Sequence, residues 1–257
     1  MADEMIVFDN VHKRFGSKHI LNGINLAVKK GETMVVIGRS GIGKSVTLKH
    51  LVGLVKPDQG EVWVDGKSVT RMPEWEVYEM RKRFGMLHQG GALIRSMTVG
   101  ENVALPLREH DNYPESEIWK KVKEKLALVH LNEVEDMMPT ILSGGMRNRV
   151  GLARAIIREP EIILYDEPTT GLDPIMANAI NELVVDLKNK FGVTSIVVTH
   201  DMPGAFRIAD RIAMLSKGKI IKIGSPQEFL ETEDPVVKQF VFGEEEQTEG
   251  PIPESST

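Results

Sequence analysis

The 257 residues include no cysteine. Disulfides, thiolate metal sites and cysteine nucleophiles are excluded, and the composition fits a reducing compartment. No apolar run approaches the length of a membrane span, so a membrane role has to come through a partner. Positive charge is not in excess either. A net charge of −5 separates the chain from the strongly basic surfaces of general nucleic-acid binders, and no nucleic-acid partner is expected. The start, Met1-Ala2-Asp3-Glu4-Met5, is acidic without an apolar core, so no secretory signal is expected. Internal repeats are lacking. The length allows one large domain or two small ones.

Against these absences stands Gly38-Arg39-Ser40-Gly41-Ile42-Gly43-Lys44-Ser45, which fits the phosphate-binding pattern GxxxxGK(S/T). The apolar run Met34-Val35-Val36-Ile37 precedes it, and a helical stripe of Leu48, Leu51, Val52 and Val55 follows. Glycines let consecutive backbone N–H groups approach phosphate oxygens, and the helix start adds its positive dipole end. Lys44 would reach the β- and γ-phosphates, and the Ser45 hydroxyl would hold Mg²⁺. A chance match in a chain of this length is of order one per cent.

Short apolar runs and turns over residues 5–35, and again at 61–70 around an Asp65-Gly66 hairpin signal, predict a small antiparallel region flanking the loop. Residues 74–158 read as mostly helical. Ile162–Tyr165 and Ser195–Val198 read as buried strands. Between them Met176, Ile180, Leu183, Val184, Leu187 and Phe191 form one helical stripe, with Pro174 suited to its first turn and Gly192 to its C-terminal cap. This alternation implies an α/β fold with a parallel sheet covered by helices. Residues 243–257 are acidic and proline-containing, and disorder is expected there in isolation.

Two further motifs carry chemistry. Asp166-Glu167 follows the strand 162–165, where ligands bind in open α/β sheets. Asp166 would position Mg²⁺, and Glu167 would accept a proton from the water attacking the γ-phosphate. Alone such a pair is usually a solvated loop; the phosphate loop in the same chain changes that. Leu142-Ser143-Gly144-Gly145-Met146 opens a helix whose start could face an anion. It is either a plain Ser-Gly helix start or a second phosphate cradle completing the site of a second copy of the chain.

Taken together, these residues resemble the nucleotide-binding subunit of an ABC transporter over nearly the full length. The resemblance implies a P-loop NTPase (RecA-like) core with a small antiparallel β subdomain and a helical signature subdomain. Residues 1–242 would form the ATPase domain, with core and β subdomain at 1–88 and 159–242, the helical subdomain at about 89–158, and a tail at 243–257. Phe15 resembles the aromatic that stacks on adenine. Gly38 to Ser45 resembles the Walker A loop, with Val46 next, where many families have threonine. Gln89 resembles the Q-loop glutamine that helps coordinate Mg²⁺. Ser143, Gly144 and Gly145 belong to the signature, with Met146 in place of the usual glutamine. Asp166 and Glu167 close Walker B, Asp173 lies in the D-loop, and His200 resembles the switch histidine at the γ-phosphate.

Within that family the segment MLHQGGALIRSMTVGENVALPLREH (86–110) is similar to Mla-type ATPases, which serve MCE-protein lipid transporters. The resemblance implies an ATP- and Mg²⁺-dependent ATPase acting as a homodimer with permease subunits, at the cytoplasmic face of a bacterial inner membrane. It also implies an MCE lipid-binding protein and a small STAS-domain protein as partners. The tail 243–257, with the apolar Val236, Val237, Phe240 and Val241 before it, reads either as a solvated terminus or as an arm that docks on the sister subunit. Rival functional readings are an ATPase for a small-solute importer and a soluble, non-transport ABC ATPase. The sequence carries neither the paired cassettes nor the long coiled coils usual in the latter.

Overall fold

The computed structural model describes residues 3–243. Alternating apolar and polar residues first build two long strands, β1 (Glu4–Phe15) and β2 (Lys18–Lys29), paired antiparallel. The next strand, β3 (Thr33–Ile37), is buried on both faces, as its continuous apolar run requires. It leads through the glycine-rich loop into α1 (Lys44–Leu51). A hairpin follows, β4 (Gln59–Val64) and β5 (Lys67–Ser68). Its turn residues Asp65 and Gly66 have φ of 50° and 72°, the left-handed pair that a tight hairpin needs. Strands β2, β1, β4 and β5 form one four-stranded antiparallel sheet, as expected for the region flanking the loop.

After α2 (Glu74–Arg81) the structure departs from the mostly helical reading of residues 74–158. Phe84–Leu87 is a strand, β6, at the edge of the main sheet, parallel to β7 (Ile162–Asp166). Three helices intervene: α3 (Val99–His110), α4 (Glu115–Leu128) and α5 (Gly144–Ile156). The first is closed by a capping box between Thr98 and Glu101. Helices α3, α4 and α5 pack on one another through Val99, Val103, Leu107, Ile118, Val122, Leu126, Val150 and Ala153.

The rest of the core is α6 (Pro174–Phe191), β8 (Thr194–Thr199), α7 (Met202–Ile208), β9 (Arg211–Ser216), β10 (Lys219–Gly224), α8 (Pro226–Leu230) and α9 (Pro235–Phe242). The predicted helix 174–191 is present, with Pro174 at its start and Gly192 at its left-handed cap. The six-stranded sheet runs β10-β9-β3-β8-β7-β6, parallel except at β10. One apolar layer lies between it and α5, α6 and α9. The other lies between it, α1 and the antiparallel sheet.

The patch before the tail does not leave its own core. Helix α9 buries Val237 completely and packs Phe240 and Val241 on the same layer, leaving Val236 half exposed. The apolar spacing reflects packing against the body of the same chain. Residues 244–257 of the tail lie outside the described residues.

Candidate nucleotide site at the carboxyl ends of the parallel strands

Three adjacent parallel strands, β3, β8 and β7, end on one side of the sheet. At or just beyond those ends stand Lys44, the first residue of α1, His200, and the pair Asp166-Glu167, whose first member closes β7. Sheet order thus brings together residues separated by more than a hundred positions. The Ser45 hydroxyl donates to Asp166 Oδ1 at 2.7 Å. Lys44 is buried; its Nζ donates to the Gly38 carbonyl at 2.7 Å and lies 3.0 Å from Glu167 Oε1. The other oxygen of Glu167 faces His200 Nδ1 at 2.8 Å and accepts from the Thr170 hydroxyl at 3.1 Å.

Helix α1 begins at Gly43, whose φ of 117° is closed to ordinary side chains. A Cβ there would also stand 2.8 Å from Ile20 Cγ2. With no side-chain cap at Gly43, the N–H groups of Lys44, Ser45 and Val46 precede the first intrahelical bond, Thr47 N–H to the Gly43 carbonyl. Free N–H groups, a buried ammonium and the helix dipole together make an anion site.

Glu167 itself sits at φ 50°, an uncommon backbone for a non-glycine residue, held by its N–H bond to the Val198 carbonyl at 2.9 Å. Burial alone would raise its carboxyl. Lys44 and His200 outweigh burial and hold it below the usual carboxylate value, so it is ionised at neutral pH.

The cleft is lined by Phe15, Ser40, Gly41, Gly43, Lys44, Ser45, Val46, Gln89, Glu167 and His200. Ile20 and Thr170 line it too, and the sequence reading misses both. An apolar Ile20 looks like any strand residue until the β1–β2 hairpin turns it toward Gly43. The hydroxyl of Thr170 was open to suspicion, three residues beyond an acidic pair. Gly38, Arg39 and Ile42 belong to the loop without lining the cleft. Ser143, Gly144, Gly145 and Asp173 lie outside it within one chain. Ser143 caps α5 by accepting from Met146 N–H at 3.2 Å, and Asp173 caps α6 by accepting from Ile175 and Met176 N–H at 3.0 Å. A further buried residue, Asn148 of α5, donates to the Pro168 carbonyl at 2.8 Å and so ties that helix to the residue after Glu167.

The donor set suits a hard cation. Ser45 and Asp166 present oxygens facing each other, and Gln89 lines the same cleft. No helix of the described residues is long and apolar enough to cross a membrane.

The chain belongs to the ABC transporter family, which its residues 21–170 match. It is 41% identical over 252 residues to the "Intermembrane phospholipid transport system ATP-binding protein MlaF" of Haemophilus influenzae, covering 98% of this chain and 94% of that protein. It is 42% identical over 238 residues to the "Probable ribonucleotide transport ATP-binding protein mkl" of Mycobacterium tuberculosis. That match covers 93% of this chain, which spans 66% of the mycobacterial protein's length. Among solved structures, the dimeric ATP-binding cassette MJ0796, in a post-hydrolysis state bound to ADP and Pi, is similar with a TM-score of 0.80 and 34% identity. The match covers 86% of this chain and 99% of the cassette. The expected fold class, a P-loop NTPase core with an added antiparallel sheet, holds.

Proposed function

We propose that this chain is the ATP-binding and hydrolysing subunit of an ABC transporter that moves phospholipid. The observation that carries the ATPase reading is the convergence of Lys44, Ser45, Glu167 and His200 on one cleft from three strand ends, with Asp166 held behind it by the Ser45 hydroxyl. In this reading Phe15 stacks on adenine, and the N–H groups of α1 bind the phosphates with Lys44. The residues that would hold Mg²⁺ are Ser45, Asp166 and Gln89; the bound ion supplies positive charge to the phosphate oxygens. As the terminal phosphate takes Lys44, Glu167 is freed to accept a proton from the attacking water. His200 steers both the carboxylate and the γ-phosphate.

The anion-facing start of α5 serves the other copy. Ser143, Gly144 and Gly145 of one protomer would close over the nucleotide held by its partner, with Asp173 at the seam, excluding water from the transferring phosphoryl group. We read residues 1–88 and 159–242 as core and β subdomain, and about 89–158 as the helical subdomain. Coupling to two permease subunits would run through Gln89 and the 86–107 segment, at the cytoplasmic face of an inner membrane. An MCE lipid-binding protein and a STAS-domain protein complete the proposed assembly.

Phospholipid is the cargo because the relative that matches nearly end to end is named for it. The mycobacterial relative's name supports ribonucleotide as a second reading. The native complex, reconstituted in liposomes with labelled phospholipid or labelled ribonucleotide, separates them. ATP-dependent movement of phospholipid alone is expected. Movement of ribonucleotide alone would replace the cargo reading.

A further inference from the structure

Phe15 is half exposed at the tip of the β1–β2 hairpin, so little packing fixes its ring. The sheet does little more. Pairing of β1 with β4 ends at His12 and Gln59, and the register of β1 on β2 slips between Lys13 and Arg14. Beyond His12 the strand has one neighbour, and its register slips once more before Arg14 and Phe15 pair with His19 and Lys18 at the hairpin's end.

Asp58 takes over where the sheet stops. Its Oδ2 accepts the Arg14 N–H at 2.6 Å, its Oδ1 accepts from Lys13 Nζ at 2.9 Å, and its own N–H donates to the His12 carbonyl at 2.8 Å. Lys13 Nζ also donates to the Lys56 carbonyl at 2.8 Å and stands 5.4 Å from the centre of the Phe15 ring. Three consecutive residues leading into Phe15 are thus gripped by one side chain and its loop. That loop leaves the end of α1, the helix whose start faces the phosphates. The carboxyl is held below the ordinary carboxylate value, by Lys13 first and the Arg14 N–H second, so the grip is ionic at neutral pH.

We propose that Asp58 is a positioning residue that sets the aromatic Phe15 at a fixed distance from the phosphate-binding helix, and so makes nucleotide affinity depend on the base. This rests on the reading of Phe15 as the base-stacking residue. A stacked aromatic contributes only when its plane is held where the base arrives, since an unanchored ring gives up ordering entropy on binding.

The test titrates the full-length chain with ATP and, separately, with inorganic tripolyphosphate, which has phosphates and no base. Asp58→Ala is expected to weaken ATP about five- to tenfold and leave tripolyphosphate within about twofold. Unchanged tripolyphosphate binding also reports an intact, folded phosphate loop. Asp58→Asn retains an oxygen for the Arg14 N–H and should recover part of the loss. In a Phe15→Ala background, Asp58→Ala should add nothing. Equal losses for both ligands, an undiminished loss in the Phe15→Ala background, or no loss at all would overturn the proposal. If Phe15→Ala fails to separate ATP from tripolyphosphate, the stacking reading falls and takes this inference with it. If Phe15→Ala separates them and Asp58→Ala does not, only the role of Asp58 is lost.

Discussion

Lys44 and Glu167 are both nearly buried, with 5% and 12% of their side chains exposed, and they lie 3.0 Å apart. Burying two charges is costly unless they are paired, and breaking such a pair strands the survivor. The pairing has a functional consequence, because the ammonium that would bind the terminal phosphate is engaged by the carboxylate that would activate water. Glu167→Gln removes the proton acceptor and the competitor for Lys44 together. Hydrolysis in the assembled complex is expected to fall by about 10²-fold or more, while ATP binding is retained or tightened. Near-wild-type turnover would end the assignment of Glu167 as base. Lys44→Ala should weaken ATP binding and abolish turnover, with unchanged affinity and rate as the contrary result. The sequence makes each of these residues legible through its motif. Their contact with each other was not legible, because it exists only once β8 lies between β3 and β7.

Among the elements, strongly patterned segments were readable, even apolar runs as short as Ile162–Tyr165, and a short strand without such a run was not. Helix α6 announces itself through its apolar stripe, Pro174 and Gly192. Strand β6 has four residues, one of them glycine, and its place at the sheet edge comes from tertiary packing rather than local preference. That glycine is there for space: a Cβ on Gly85 would stand 2.3 Å from the Ala155 carbonyl oxygen of α5. Gly85→Ala should therefore force β6 and α5 apart and cost about 1–3 kcal/mol in urea unfolding. A loss near zero would show that the two elements separate freely. The pair Asp111–Arg158 joins the end of α3 to the segment after α5 through bonds of 2.7 and 3.0 Å. Arg158 holds the Asp111 carboxyl below its ordinary value. Because the folded value is the lower one, the pair stabilises fully above the unfolded carboxylate value of about 3.9 and loses its effect as pH falls through the folded value. Asp111→Asn should cost up to about 1 kcal/mol at pH 7, given screening at the surface, and less at pH 3. An equal cost at both pH values would contradict the ionic account.

At the scale of the whole molecule, one chain holds a glycine-rich loop at its cleft and, outside that cleft, a second helix start at Ser143 that we read as a phosphate cradle for another copy. Two copies arranged with two-fold symmetry would let each signature serve the other's nucleotide. The signature and the phosphate loop were each legible in the sequence. How they are divided between chains was not, because spacing along one chain says nothing about which copy completes a site. The most direct measurement is hydrolysis by an equal mixture of Lys44→Ala and Ser143→Arg chains assembled into the transporter. Each variant alone should be inactive, since both sites of its dimer are damaged. Mixed dimers keep one site free of both changes, so activity should return to about a quarter of wild type, half the dimers being mixed with one intact site each. No recovery on mixing, with both variants folded and assembled, would contradict a site shared between two copies.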